Sequence, residues 1–218
     1  MDTAKVVKRG LLIVFEGLDK AGKSTQTTLL RQALVKDGIP CSCFYFPQRF
    51  THTGRLLDSY LNKAVVMHET AVRLLFSANR WEARDLMVQY IQEGTSVVVD
   101  RYAYSGVAYS TAKGLKMEEC KSSDAGLPLP DLVFFVDTDP VVASQRDSYG
   151  AEVHDNVELQ REIRKCYETL LVPDVRDGRC FWLSGNKSPE ALHAQILNIV
   201  YQEMKKNLGA LQCNLWQK

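Results

Sequence analysis

Residues Gly17-Leu18-Asp19-Lys20-Ala21-Gly22-Lys23-Ser24 follow the pattern G-x-x-x-x-G-K-[ST]. The glycines let the backbone wrap closely enough for its N–H groups to face phosphate oxygens. Lys23 can then reach the β and γ phosphates of a nucleotide, and the Ser24 hydroxyl can hold a magnesium ion. With glycine near 7% of residues, the pattern arises by accident in about one chain in a hundred of this length. Leu11-Leu12-Ile13-Val14-Phe15 before it reads as a buried strand. Thr25 to Lys36 after it reads as a helix, with Leu29, Leu30, Ala33 and Leu34 on one face and Gly38 as its stop. Strand, loop and helix in that order suit the chemistry, because the helix N-terminus adds partial positive charge. The competing reading is a plain glycine turn between strand and helix.

The chain has 218 residues, enough for one sizeable domain or two very small ones. Hydrophobic residues make up 45% and charged residues 24%, an ordinary globular composition. The net charge of +1 carries no basic excess, which argues against a nucleic-acid surface and makes any anion site local. Met1 to Arg9 is polar, and the apolar stretch after it is interrupted by Glu16 too soon for a signal or a membrane span. The expectation is an intracellular, cytoplasmic protein with a nuclear pool open. Cys41, Cys43, Cys120, Cys166, Cys180 and Cys213 are scattered, with no C-x-x-C pair. Cys41 and Cys43 lie in an apolar run and read as small buried side chains.

Strand-like runs recur at Leu11 to Phe15, Cys41 to Phe46, Ser96 to Val99, Leu132 to Val136 and Cys180 to Leu183. Helical patterns fall between them, at Thr70 to Glu93, Val141 to Tyr149, Val157 to Leu171 and Pro189 to Lys206. Such alternation predicts an α/β fold, a parallel sheet with helices on both faces. Ligands bind beyond the carboxyl ends of such strands, so the polar residues after each strand matter most. Asp100-Arg101-Tyr102 follows the third strand, and Asp100 stands where a phosphate-loop enzyme holds its magnesium. Phe46-Pro47-Gln48-Arg49 follows the second. Asp139 before Pro140 reads as a helix cap rather than a catalytic group.

Phe76 and Arg80 are four apart in a helical pattern and share a face. An aromatic ring beside a guanidinium suits a planar, hydrogen-bonding ligand such as a base. Arg49 and Arg101 supply cations for a second phosphate group. Asp19 adds a carboxylate within the glycine loop. A nucleoside monophosphate facing a nucleoside triphosphate would use all of these groups.

At this point the chain resembles the thymidylate kinase family, in its eukaryotic and poxviral branch. The anchors are residues 15–25, Phe46-Pro47-Gln48-Arg49, residues 74–82 from Leu74 to Glu82, and residues 100–108 from Asp100 to Ala108. Gly126-Leu127-Pro128-Leu129-Pro130-Asp131-Leu132-Val133 and Leu215-Trp216 also fit. The resemblance implies one domain over residues 1–218 with the phosphate-loop nucleoside monophosphate kinase fold and a short lid at about 147–156. It implies phosphorylation of dTMP by ATP with Mg2+, in a homodimer packed through helices. Gly17, Lys20, Ala21, Gly22, Lys23, Ser24, Thr25 and Arg146 would hold ATP, with Ser24 and Asp100 at the metal. Phe76 would stack on thymine and Arg80 would hydrogen-bond its carbonyl oxygen. Asp19 would hold the sugar 3′-hydroxyl region, and Arg49 and Arg101 would clamp the dTMP phosphate. Phe46, Ser105 and Gly106 would line the pocket, and Tyr109 would crowd the 2′ position. Asp19, Lys20, Lys23 and Arg101 would form the catalytic set.

The lid departs from the family pattern. Relatives carry Tyr where His154 stands, so His154 is the expected substitute as a hydrogen-bond donor to dTMP. No Arg or Lys lies between Arg146 and Asn156. Other readings are a kinase for dUMP or dGMP, a non-catalytic ATP-binding module and a phosphate-loop GTPase switch. The paired arginines of a second phosphate site argue against the last.

Overall fold

The computed structural model describes residues 8–145, 153, 154 and 156–217. Its centre is β1 (Leu12–Gly17), a strand buried along its whole length. Successive side chains of a strand point to opposite faces, so an unbroken apolar run must be covered on both sides. Leu12 and Val14 face one core, with Met87, Val107, Ile163 and Tyr167. Ile13 and Phe15 face the other, with Leu30, Leu34, Ile196 and Val200.

The remaining strands are β2 (Cys41–Tyr45), β3 (Ser96–Asp100), β4 (Leu132–Asp137) and β5 (Cys180–Ser184). They form a five-stranded sheet in the order β2-β3-β1-β4-β5. Every pairing is parallel. On one face lie α1 (Lys23–Lys36) and α9 (Pro189–Met204). On the other lie α3 (Glu69–Gln92), α4 (Ala103–Ala112) and α7 (Val157–Leu170). The strand order turns at β1, between β3 and β4. A crevice therefore opens beyond its carboxyl end, where the glycine loop emerges.

The strands match the expected positions, with shifted ends. β1 runs on through Glu16 and Gly17, and β3 and β4 include Asp100 and Asp137. α1 begins earlier than expected, because Lys23 and Ser24 form its first turn. Asp139 caps α6 (Pro140–Ser144), accepting from the Val141 N–H at 2.7 Å, as its position before a proline predicted. α6 stops at Ser144, short of the expected span, and residues 146–149 lie outside the described ones. Four helices were not anticipated: α2 (His52–Leu61), α4, α5 (Met117–Ser122) and α8 (Val172–Arg176). Cys41 and Cys43 are only half-buried, not the enclosed side chains expected, because β2 is an edge strand. Among the described residues, no helix is long and apolar enough to cross a membrane.

Candidate active site

The glycine loop joins β1 to α1 through two glycines with positive φ, 142° at Gly17 and 101° at Gly22. A Cβ at Gly17 would lie 2.4 Å from the Val136 carbonyl oxygen, so the neighbouring strand leaves no room for one. Lys20, between them, also takes the left-handed conformation at φ 59° and stands exposed on the rim. Such geometry is costly for a residue with a side chain and clusters at functional sites. Ala21 is buried beneath the loop, and Thr25 is exposed on the first turn of α1. Lys23 is buried and donates to the Leu18 carbonyl at 2.5 Å. Burial, with Arg101 nearby, lowers its pKa to about 8, so its ammonium stays mostly charged at neutral pH.

Ser24 donates its hydroxyl to Asp100 at 2.5 Å. Asp100 stands at the carboxyl end of β3, in register with Phe15 of β1. Among the described residues no group of three or more His, Cys, Asp or Glu could hold a metal. One carboxylate and one hydroxyl instead suit magnesium, which keeps several waters and takes its other ligands from phosphate.

Arg101 links this loop to a second cleft. Its φ is 64°, and its N–H donates to the Phe15 carbonyl at 2.9 Å. Its guanidinium donates to the Gly17 carbonyl and to the Ser105 hydroxyl, each at 3.1 Å, and pairs with Asp19. It also lies 5.2 Å from the Tyr109 ring centroid. Burial opposes its charge, but Tyr109 and Asp19 outweigh that and raise its pKa well above the usual value. Burial likewise works against the Asp19 carboxylate, yet Arg101 and Lys23 hold its pKa below the usual value. Asp19 further accepts from Tyr109 at 3.0 Å and from Gln160 at 2.6 Å.

Every residue assigned to dTMP from sequence lines one cleft. Asp19, Arg49, Arg101 and His154 bound it together with Phe46, Phe76, Arg80, Ser105, Gly106 and Tyr109. Leu61, Val72, Glu69 and Lys113 join them. Arg49, at the half-exposed rim, also pairs with Asp58 of α2 at 2.5 Å. His154 is buried, its ring 5.1 Å from that of Tyr109 and 6.2 Å from that of Tyr60. Burial, with Lys113 nearby, lowers its pKa to about 4, so the imidazole is neutral at pH 7. Arg146, expected at ATP, lies outside the described residues, as does most of the lid.

Glu16 and Gln160, which sequence reasoning missed, hold several of these groups in place. Glu16 accepts from the Tyr102 N–H at 2.8 Å and the Ser105 N–H at 3.1 Å. It also accepts from the Ser105 hydroxyl at 2.5 Å and the Tyr167 hydroxyl at 2.7 Å. The α4 N-cap, Tyr102, provides no side-chain cap of its own. Glu16 supplies it from β1, and so ties Ser105 to the strand beneath the glycine loop. Burial raises its pKa against those bonds. A charged residue within an apolar strand was the available signal. Gln160 of α7 accepts the Asp19 N–H at 3.2 Å and donates to the Asp19 carboxylate and, at 3.0 Å, to the His154 carbonyl. Nothing local in the sequence marks it.

This geometry has known counterparts. The family model of thymidylate kinase matches residues 15–196. A thymidylate kinase of Schizosaccharomyces pombe is 43% identical, over 88% of this chain and 92% of that one. A human thymidylate kinase is 42% identical, over 87% of this chain and 89% of that one. The solved structure of a thymidylate kinase from Candida albicans superposes with a TM-score of 0.85 at 31% identity, covering 94% of this chain and 97% of that one. With a phosphate loop joined by the part-buried Arg101 to a second cleft that carries Arg49, Arg80 and Lys113, and with similarity throughout its length, this chain belongs to the thymidylate kinase family.

Proposed function

We propose that the chain transfers the γ-phosphoryl group of ATP to the phosphate of dTMP, by in-line displacement. Arg101 carries this reading, because its guanidinium touches both the glycine loop and the second cleft. One cation thus serves the donor and acceptor sites. In phosphoryl transfer the protein mainly positions the groups and stabilises charge. The loop N–H groups and Lys23 bind the donor phosphates. Arg49 and Arg101 bind the acceptor phosphate, and Asp19 takes the sugar hydroxyl region. Magnesium, held by Ser24 and Asp100, would neutralise charge on the donor phosphates. Phe76 stacks on the base, Arg80 donates to its carbonyl oxygen, and Tyr109 fills the space of a 2′-hydroxyl.

A coupled ADP-release assay with ATP and a panel of monophosphates tests this. The thymine methyl is worth only about 1–3 kcal/mol, so dUMP is expected to turn over with reduced efficiency. Phe76→Ala raises KM for dTMP more than KM for ATP, since stacking a base on an aromatic contributes roughly 1–3 kcal/mol. Arg80→Ala weakens discrimination between thymine and cytosine, because cytosine presents an amino group where Arg needs an acceptor. If both variants lose ATP affinity and keep the parent KM for dTMP, the cleft assignment is wrong.

We also propose a homodimer packed through α2 and α3. These helices leave Leu56, Leu74, Trp81 and Leu86 exposed, apolar surface of the kind that marks an interface. Sedimentation velocity giving the mass of a single chain at micromolar concentration would overturn it.

A further inference from the structure

We infer that Asp124 is a positioning residue that sets which base the cleft accepts, by fixing the guanidinium plane of Arg80. The inference rests on Arg80 reading the base, and it explains how a buried, flexible side chain can do so selectively. Asp124 lies in the connection between α5 and β4. Its carboxylate accepts from Arg80 Nε at 3.0 Å and from Arg80 Nη2 at 2.6 Å, a bidentate fork. Both side chains are only 2% exposed.

Asp124 is itself held. Its Oδ1 accepts from the Ser77 hydroxyl at 2.8 Å, one turn before Arg80 on α3. The neighbouring Ser123 carbonyl accepts from Trp81 Nε1 at 2.8 Å. On its other side the guanidinium lies against α4. A Cβ at Gly106 would stand 2.7 Å from Arg80 Nη2 and 3.2 Å from Nη1. The plane is thus caught between a carboxylate fork and a helix backbone.

The consequence is chemical. Nε and one Nη2 hydrogen are committed to Asp124, which leaves Nη1 as the principal donor toward the cleft. Arginine donates and never accepts, so a fixed Nη1 rewards a carbonyl oxygen and rejects an amino group. A guanidinium free to turn away from the cleft would still only donate, but it would engage that oxygen less firmly and so distinguish the two bases less. A neutral partner would also leave its buried charge uncompensated.

The test is steady-state kinetics with dTMP and dCMP for Asp124→Asn, Arg80→Ala and the double variant, alongside thermal melts. Asp124→Asn is expected to raise KM for dTMP about tenfold, the scale of one charge-assisted hydrogen bond. Its kcat stays within about threefold and its KM for ATP within about twofold, and its preference for dTMP over dCMP shrinks. Because Asp124 acts through Arg80, adding Asp124→Asn to Arg80→Ala leaves KM for dTMP unchanged within about twofold. Effects that add in the double variant, or a parent-like Asp124→Asn beside an impaired Arg80→Ala, overturn the inference alone. A parent-like Arg80→Ala overturns the reading of Arg80 and this inference with it. If Asp124→Asn fails to fold, Ser77→Ala decides: it keeps the ion pair and removes the hydroxyl that Ser77 shares between Asp124 Oδ1 and the Ser123 carbonyl. A two- to threefold rise in KM for dTMP supports the inference, and a parent-like value overturns it.

Discussion

Replacing Asp100 by asparagine lowers turnover on the order of 10²–10³-fold and leaves the fold intact, the usual scale for losing a charge-stabilising group. Asparagine keeps the shape of the side chain and removes its charge. In the structure that charge accepts the Ser24 hydroxyl at the mouth of the glycine loop. It also favours the protonated form of the buried Lys23. The substitution therefore weakens the proposed magnesium site and the donor-phosphate site together. Its position at the end of β3 lies outside the apolar core, so the melting temperature should move little. Steady-state kinetics at saturating magnesium, beside a thermal melt, decides the matter. Turnover within a factor of three of the parent removes Asp100 from the site.

Lys20→Ala is expected to lower turnover about 10²-fold while barely changing KM for dTMP. A basic finger on the transferred phosphoryl group can be worth roughly 10³–10⁵ for arginine, and lysine, lacking the bidentate fork, is expected to give less. The rationale is a division of labour. The lid sequence between Arg146 and Asn156 holds no Arg or Lys. Its His154 has a pKa lowered by burial to about 4, so it carries no cation at neutral pH. Lys20 occupies the loop instead, in a left-handed conformation on the exposed rim. His154→Ala is expected to cost under about tenfold, through lost packing on Tyr60 and Tyr109. Its pH profile between pH 5 and 8 should parallel the parent's, because a group with a pKa near 4 does not titrate there. A normal Lys20→Ala beside a nearly inactive His154→Ala would reverse the assignment.

Much of this site was legible before any fold was known. The glycine loop is eight contiguous residues whose spacing is dictated by backbone geometry at a phosphate. Asp100 and Arg101 were marked by standing at the end of an apolar run, where the chain must leave a buried strand. Phe76 and Arg80 were paired by helical periodicity, and the cleft has both on its wall. Legibility failed where periodicity is silent. α4 buries Ala103, Tyr104, Ser105, Val107 and Ala108, so little polar stripe reveals it as a helix.

What the chain alone determined is therefore local: which segments are strands, where the loop turns, and which polar groups leave the strand ends. Only the tertiary structure decided what holds those groups still. Glu16 read as the polar residue that ends an apolar stretch, yet it is fully buried and accepts from Tyr102, Ser105 and Tyr167. Gln160 and Asp124 gave no signal at all, and they hydrogen-bond to Asp19 and Arg80. The reason is physical. A backbone conformation depends on a few neighbouring residues, whereas a buried polar group must find its partners wherever packing brings them, here from elements far apart in the chain.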